Sequence, residues 1–103
     1  AFTALAGSGP GYVYYLAESM SAGALRLGFS PEQADLIVRQ TLLGASLLLA
    51  GSEQTPAELR AAVTSKGGTT AAAIGVLDGA GAPGAITRAL EAARDRGREL
   101  SLG

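Results

Sequence analysis

Ser30-Pro31-Glu32-Gln33-Ala34-Asp35-Leu36-Ile37-Val38-Arg39-Gln40-Thr41-Leu42-Leu43-Gly44-Ala45-Ser46-Leu47-Leu48-Leu49-Ala50-Gly51 is the stretch that decides the fold. Its first four residues form a capping box: a serine hydroxyl accepts from the third residue's N–H, and that residue's side chain reaches back. Pro31 fits the first helical position, where its missing N–H would be unpaired anyway. Ala34, Ile37, Val38, Thr41, Leu42, Ala45, Leu48 and Leu49 then recur at intervals of three and four, which predicts one helix over 31–51. From Thr41 to Ser52 the run has no charge, bracketed by Arg39 and Glu53. That run is too short to span a bilayer, which takes about 20 apolar residues. It reads either as a core helix or as a helix buried on nearly all sides, partly by a second chain. Gly44, Ala45 and Ser46 would permit close helix contact.

The same grammar extends outward. Pro10, Pro56 and Pro83 stand at further helix starts, and Thr55-Pro56-Ala57-Glu58 repeats the capping box. Thr69 or Thr70 is placed to cap another helix without proline. Five helices are expected, at about 10–27, 31–51, 56–64, 70–78 and 83–100, with Gly28, Gly51 and Gly79 as left-handed terminators of three of them. In the last helix Ile86, Leu90, Ala93, Gly97 and Leu100 form an apolar stripe. Glu91 with Arg94, and Asp95 with Arg98, are i,i+3 pairs on the opposite, solvated face. No stretch alternates as a strand. The fold class is all-α, a bundle of about five helices.

Composition narrows the chemistry. A chain of 103 residues supports one domain, here the whole of 1–103. It opens on Ala1 and shows no signal-peptide pattern, which fits a segment of a longer protein. The 48% apolar content is high for a small soluble domain and hints at surface covered by a partner. With a net charge of -1 and eight dispersed basic residues, a nucleic-acid footprint is not expected. There is no cysteine and no histidine, so thiol chemistry, a Ser-His-Asp triad and the commonest metal ligands are excluded within this chain. No metal site and no membrane association are expected, and the cysteine-free composition fits a cytoplasmic protein.

Two glycine clusters remain. Ala6-Gly7-Ser8-Gly9-Pro10-Gly11-Tyr12 lacks the spacing and the preceding strand of a dinucleotide fingerprint. It reads as a flexible entry with a helix cap, or as a small-residue platform for a ligand held by a neighbouring domain. Val63-Thr64-Ser65-Lys66-Gly67-Gly68-Thr69-Thr70 joins two glycines, four hydroxyls and the only lysine at the start of a helix. Unpaired N–H groups and the positive helix end suit a small anion there, a carboxylate or phosphate. A plain capping loop is the competing reading. Lys66 precedes the glycines, which excludes a P-loop. Tyr12, Tyr14 and Tyr15 point in different directions on one helical turn and read as packing residues.

These clusters, with Gly28-Phe29-Ser30, Gln40-Thr41-Leu42-Leu43-Gly44-Ala45, Ala89-Leu90-Glu91-Ala92-Ala93 and Arg98-Glu99-Leu100, resemble in order the C-terminal half of pyrroline-5-carboxylate reductase. The resemblance runs through nearly the whole chain. It implies an all-helical domain that intertwines into a homodimer or a higher oligomer. It also implies an N-terminal Rossmann domain, absent from this chain, that binds NADPH or NADH. The family reduces the cyclic imine of 1-pyrroline-5-carboxylate to L-proline. By resemblance, Ser65, Gly67, Gly68, Thr69 and Thr70 bind the substrate. The amides of Gly68, Thr69 and Thr70 hold its carboxylate, and the Thr70 hydroxyl approaches the imine nitrogen as the catalytic contact. Gly9 and Pro10 lie where the cofactor would rest. Lys66 replaces the family's usual proline, which either loosens the loop or adds charge near the carboxylate. The isolated chain is expected to be inactive.

Two other readings compete. One is a non-catalytic helical dimerisation module whose glycine loops are only caps. The other is the helical domain of a 3-hydroxyacid-type dehydrogenase, disfavoured because the chain has no asparagine and Lys66 sits in the wrong context.

Overall fold

The structure, a computed structural model, describes residues 1–102. A five-residue π-helical turn, Thr3–Gly7, precedes five α-helices: α1 Gly9–Arg26, α2 Pro31–Gly51, α3 Pro56–Ala62, α4 Thr69–Gly79 and α5 Ala82–Leu102. There is no strand among the described residues. The helices divide between two compact units, Pro10–Thr55, and Ala1–Gly9 with the chain from Pro56 onward.

The Pro10–Thr55 unit is a helical hairpin whose turn is fixed at both ends. At the close of α1, Gly28 adopts φ 100°. Its N–H donates to the Leu25 carbonyl (3.0 Å), while the Phe29 N–H donates to the Ala24 carbonyl (3.2 Å). This pair of bonds, built on a left-handed glycine, satisfies carbonyls that the helix end leaves open. Two residues later the Gln33 N–H donates to the Ser30 hydroxyl (3.2 Å) and the Ser30 N–H to the Gln33 side-chain oxygen (3.0 Å), so the expected capping box is formed. Ala34 and Val38 are buried, at 1% and 4% exposure, and Leu42 is half-buried. Asp35 and Arg39 pair at 2.9 Å on the surface of α2.

In the other unit the π-helical turn packs on α5, and α4 packs on α5. Ala4, within the turn, is buried. Along α5, Leu90 and Ala93 are half-buried, whereas Ile86 and Leu100 are exposed.

Several expectations need correction. Gly51 and Gly79 are the last residues of α2 and α4, not left-handed terminators beyond them. Ser52 leaves α2 in an extended conformation, and after α4 the positive φ (76°) falls to Gly81. On α5, Arg94 pairs with its neighbour Asp95 (3.1 Å) and not with Glu91, because Asp95 also attracts Arg98 at 3.9 Å and draws both cations to one carboxylate. The α2 stripe does not form a core within the chain. Ile37, Leu48 and Leu49 are exposed, as are Leu43 and Leu47. Only Ala4, Ala34 and Val38 are buried apolar residues among those described. The core-helix reading of Thr41–Ser52 therefore fails for the single chain: nothing within 4 Å would meet a Cβ at Gly44. At 21 residues and a mean hydropathy of 1.3, α2 is also long and apolar enough to cross a membrane, so the shortness of its uncharged run is not what argues against a span.

Candidate functional site

The loop between α3 and α4 is built by three local devices. First, the Val63 and Thr64 N–H groups donate to the Arg60 and Ala61 carbonyls (3.2 and 3.1 Å), and the Thr64 hydroxyl donates to the Arg60 carbonyl. These bonds close the end of α3, so Thr64 is spent on capping.

Second, the Gly68 N–H donates to the Ser65 carbonyl (3.0 Å), closing a four-residue turn over Ser65-Lys66-Gly67-Gly68. Gly67 has φ 74° while Lys66 does not have positive φ, which is the pattern of a type II turn. The third position of that turn requires a left-handed residue, and glycine meets it without steric cost. The second position suits proline but accepts other residues. With Lys66 there the turn still closes, so the lysine does not loosen the loop.

Third, Gly68 is the N-cap of α4, extended at φ -85° and ψ -178°, and no side chain caps the helix. The expected Thr69 or Thr70 cap is thereby corrected: both lie inside the first turn, because the β-turn delivers Gly68 to the cap position. The first helical bond runs from the Ala72 N–H to the Gly68 carbonyl (3.1 Å). The N–H groups of Thr69, Thr70 and Ala71 have no partner among the described residues, nor do the hydroxyls of Ser65, Thr69 and Thr70. Gly68's own N–H, expected to face a carboxylate, closes the turn instead, and the open trio shifts by one residue to include Ala71. Sequence reasoning missed Ala71 because a bare backbone donor has no side-chain signature. The signal lay in which residue takes the N-cap.

The bareness of Gly68 has a steric cause. A Cβ there would stand 2.3 Å from the Ser65 hydroxyl oxygen and 3.2 Å from the Ser65 carbonyl oxygen. The Ser65 side chain could rotate away, but its backbone carbonyl is held by the turn bond. Ser65 and Thr69 are exposed, and Gly68 and Thr70 are half-buried. The structure thus gathers Ser65, Gly67, Gly68, Thr69 and Thr70 into one turn and one helix start.

Gly9 and Pro10 are not part of that constellation. They open α1, on either side of the division between the two units. A Cβ at Gly9 or Gly11 would meet nothing within 4 Å, so these glycines do not line a cradle that a cofactor would fill. The concave surfaces lie elsewhere too. One is lined by Val13, Tyr14 and Ala17 of α1 and Val38, Leu42 and Leu43 of α2, the other by Thr3, Arg94 and Arg98. Tyr14 and Tyr15 are exposed and Tyr12 is half-buried. The Ser65–Thr70 loop offers donors and hydroxyls without pocket walls of its own.

An all-helical domain, uncovered along its most apolar helix and presenting an open helix start, is the architecture of an oligomerisation domain that carries part of a binding site. Residues 1–100 match the family model described as pyrroline-5-carboxylate reductase dimerisation, and the chain belongs to that family. It is 44% identical to pyrroline-5-carboxylate reductase 3 of Danio rerio over 97% of this chain and 35% of that protein. It is equally 44% identical to pyrroline-5-carboxylate reductase of Pseudomonas aeruginosa over 98% of this chain and 37% of that protein. Among solved structures, the Coxiella burnetii reductase superposes with a TM-score of 0.91 at 42% identity, over 95% of this chain and 36% of that one. The Plasmodium falciparum reductase, solved with NADP bound, superposes at 0.87 with 32% identity, over 91% of this chain and 37% of that one. The chain spans little more than a third of the length of the curated relatives it matches. The 3-hydroxyacid-dehydrogenase reading is set aside by these matches.

Proposed function

We propose that this chain is the C-terminal dimerisation and substrate-binding domain of a pyrroline-5-carboxylate reductase, which reduces 1-pyrroline-5-carboxylate to L-proline with NADPH or NADH. The observation that carries the reading is the α4 start, where three free N–H groups and three free hydroxyls converge within a family of this chemistry. Residues 1–103 act as one functional module, a homodimer at least.

The nicotinamide, when bound, supplies hydride, and it is held by parts of the protein outside these residues. This chain's residues bind and orient the substrate. The Thr69, Thr70 and Ala71 N–H groups point along the positive end of α4 and accept the substrate carboxylate between them. Gly68 lets the carboxylate approach because no side chain stands over the cap. The Thr70 hydroxyl, half-buried and free, reaches the ring nitrogen and fixes which carbon of the imine is presented. A protonated imine is already electrophilic, so no histidine acid is needed, and fixed orientation does most of the work. A second copy covers the exposed apolar face of α2 and supplies walls that the loop lacks.

The test is a steady-state assay of the full-length protein with 1-pyrroline-5-carboxylate and each nicotinamide, beside hydrogen exchange of Ser65–Thr70 with proline. Turnover together with proline-dependent protection of the loop supports the reading. Absence of both leaves a non-catalytic helical module. The isolated chain should not turn over, and measurable activity from it would overturn the assignment of the hydride donor to other parts of the protein.

A further inference from the structure

From Leu59 to Leu77 the chain has two charged residues, Arg60 and Lys66, both cationic, although the whole chain is net -1. Helix α4 has no acidic residue in its first turn, and its one carboxylate, Asp78, lies next to its last residue, Gly79. This is the reverse of the arrangement that stabilises a helix, in which acids sit near the N-terminus and bases near the C-terminus. Lys66 accentuates the reversal. It occupies the second position of the turn that leads into the Gly68 cap, is exposed, and forms no ion pair with any described residue. An ammonium so close to a positive helix end is unfavourable for the domain's own stability, and no carboxylate of the loop offsets it.

We infer that Lys66 is a substrate-affinity residue: its ammonium adds to the α4 helix end in attracting the carboxylate of the cyclic substrate. This rests on the reading of Ser65–Thr70 as the carboxylate site. Lys66 does not touch the reacting imine, so it acts on binding and not on the chemical step. A solvated ammonium facing an anion across a few ångströms contributes weakly, at the level of exposed ion pairs, which corresponds to about two- to four-fold in affinity. The contribution is screened by salt, since the Debye length falls from about 30 Å at 0.01 M to about 3 Å at 1 M.

The experiment compares wild-type, Lys66→Gln and Lys66→Arg full-length enzymes at ~0.02 M and ~1 M ionic strength, with 1-pyrroline-5-carboxylate and with 1-pyrroline, which lacks the carboxylate. For Lys66→Gln at low salt, the KM for the carboxylate substrate should rise about two- to four-fold at unchanged kcat. The difference should close at high salt and be absent with 1-pyrroline. Lys66→Arg should keep the wild-type KM. The melting temperature of Lys66→Gln should equal or exceed wild type, because an unfavourable cation at the helix start has been removed. A wild-type KM at low salt, or a rise that persists at high salt or extends to 1-pyrroline, would overturn the inference. Gly68→Val separates this outcome from failure of the site itself. If Gly68→Val raises KM while Lys66→Gln does not, the loop binds the carboxylate and only the role of Lys66 is lost. If neither changes KM, the carboxylate binds elsewhere and both readings fall.

Discussion

Leu48 is the sharpest probe of what covers this domain. It sits in the uncharged half of α2, 70% exposed in the single chain, with Leu43, Leu47 and Leu49 exposed beside it. Burying a leucine fully is worth about 1.5–3 kcal/mol, so covering the part of Leu48 left open contributes about 1–2 kcal/mol per protomer. A symmetric dimer uses the same patch twice, and the loss from truncation is therefore about 2–4 kcal/mol per dimer. At 1.4 kcal/mol per decade, that is roughly 30- to 700-fold in the dissociation constant. Leu48→Glu should exceed this, because it also places two carboxylates in a desolvated interface at a cost of several kcal/mol each.

The assay is sedimentation equilibrium of the full-length protein over a wide concentration range, with thermal melts at each concentration. Wild type should be oligomeric with a melting temperature that rises with concentration, as expected when assembly and folding are linked. Leu48→Glu should shift to monomer and melt lower, with reduced dependence on concentration. Leu48→Ala, which introduces no charge, should fall between them. A Leu48→Glu protein that stays folded and assembles with wild-type affinity would refute the claim that a second chain covers α2.

Further outcomes follow from local geometry. Thr70→Ala should lower kcat of the full-length enzyme by about 10- to 100-fold, while circular dichroism shows an unchanged fold, since its hydroxyl has no structural partner. Gly68→Val should raise KM more than it lowers kcat, and Gly68→Ala should do so less, because its single methyl asks only that Ser65 rotate. Ser30→Ala removes one half of a formed capping box and should destabilise the protein by about 1 kcal/mol in a urea titration, with kinetic constants unchanged. Gly44→Val meets nothing within its own chain, so any loss of assembly in sedimentation would place a partner helix against Gly44.

The helices were legible in the sequence because their starts are chemically explicit. Each of four prolines lies in the first two residues of a helix, and the Ser30–Gln33 box reads directly as a cap. The ends were harder. Gly28 terminates α1 as expected, yet Gly51 and Gly79 close helices from within, since glycine permits a left-handed residue without requiring one. The Gly68–Ser65 turn explains the one-residue shift among the donors: a sequence shows that N–H groups are open at a helix start, but only the cap position decides which three.

Periodicity has a different blind spot. The three-and-four spacing of α2 states that one face is apolar and must leave water, and it is silent on whose atoms cover that face. Ala34 and Val38, in the first half, are covered from within the hairpin; Leu47 and Leu48, in the second, are not. The two halves have the same residue types and the same period, so no intrachain pattern could separate them. What differs is composition along the axis. The covered half holds Glu32, Asp35 and Arg39, which keep its outer side soluble, whereas the uncovered half has no charge on any side from Thr41 to Ser52. A helix packed on one face of its own chain can hold charges on the other; a helix enclosed between two chains has little room for them. The absence of charge around the whole circumference, more than the apolar stripe, is what marks the second half of α2 as the place where another copy belongs.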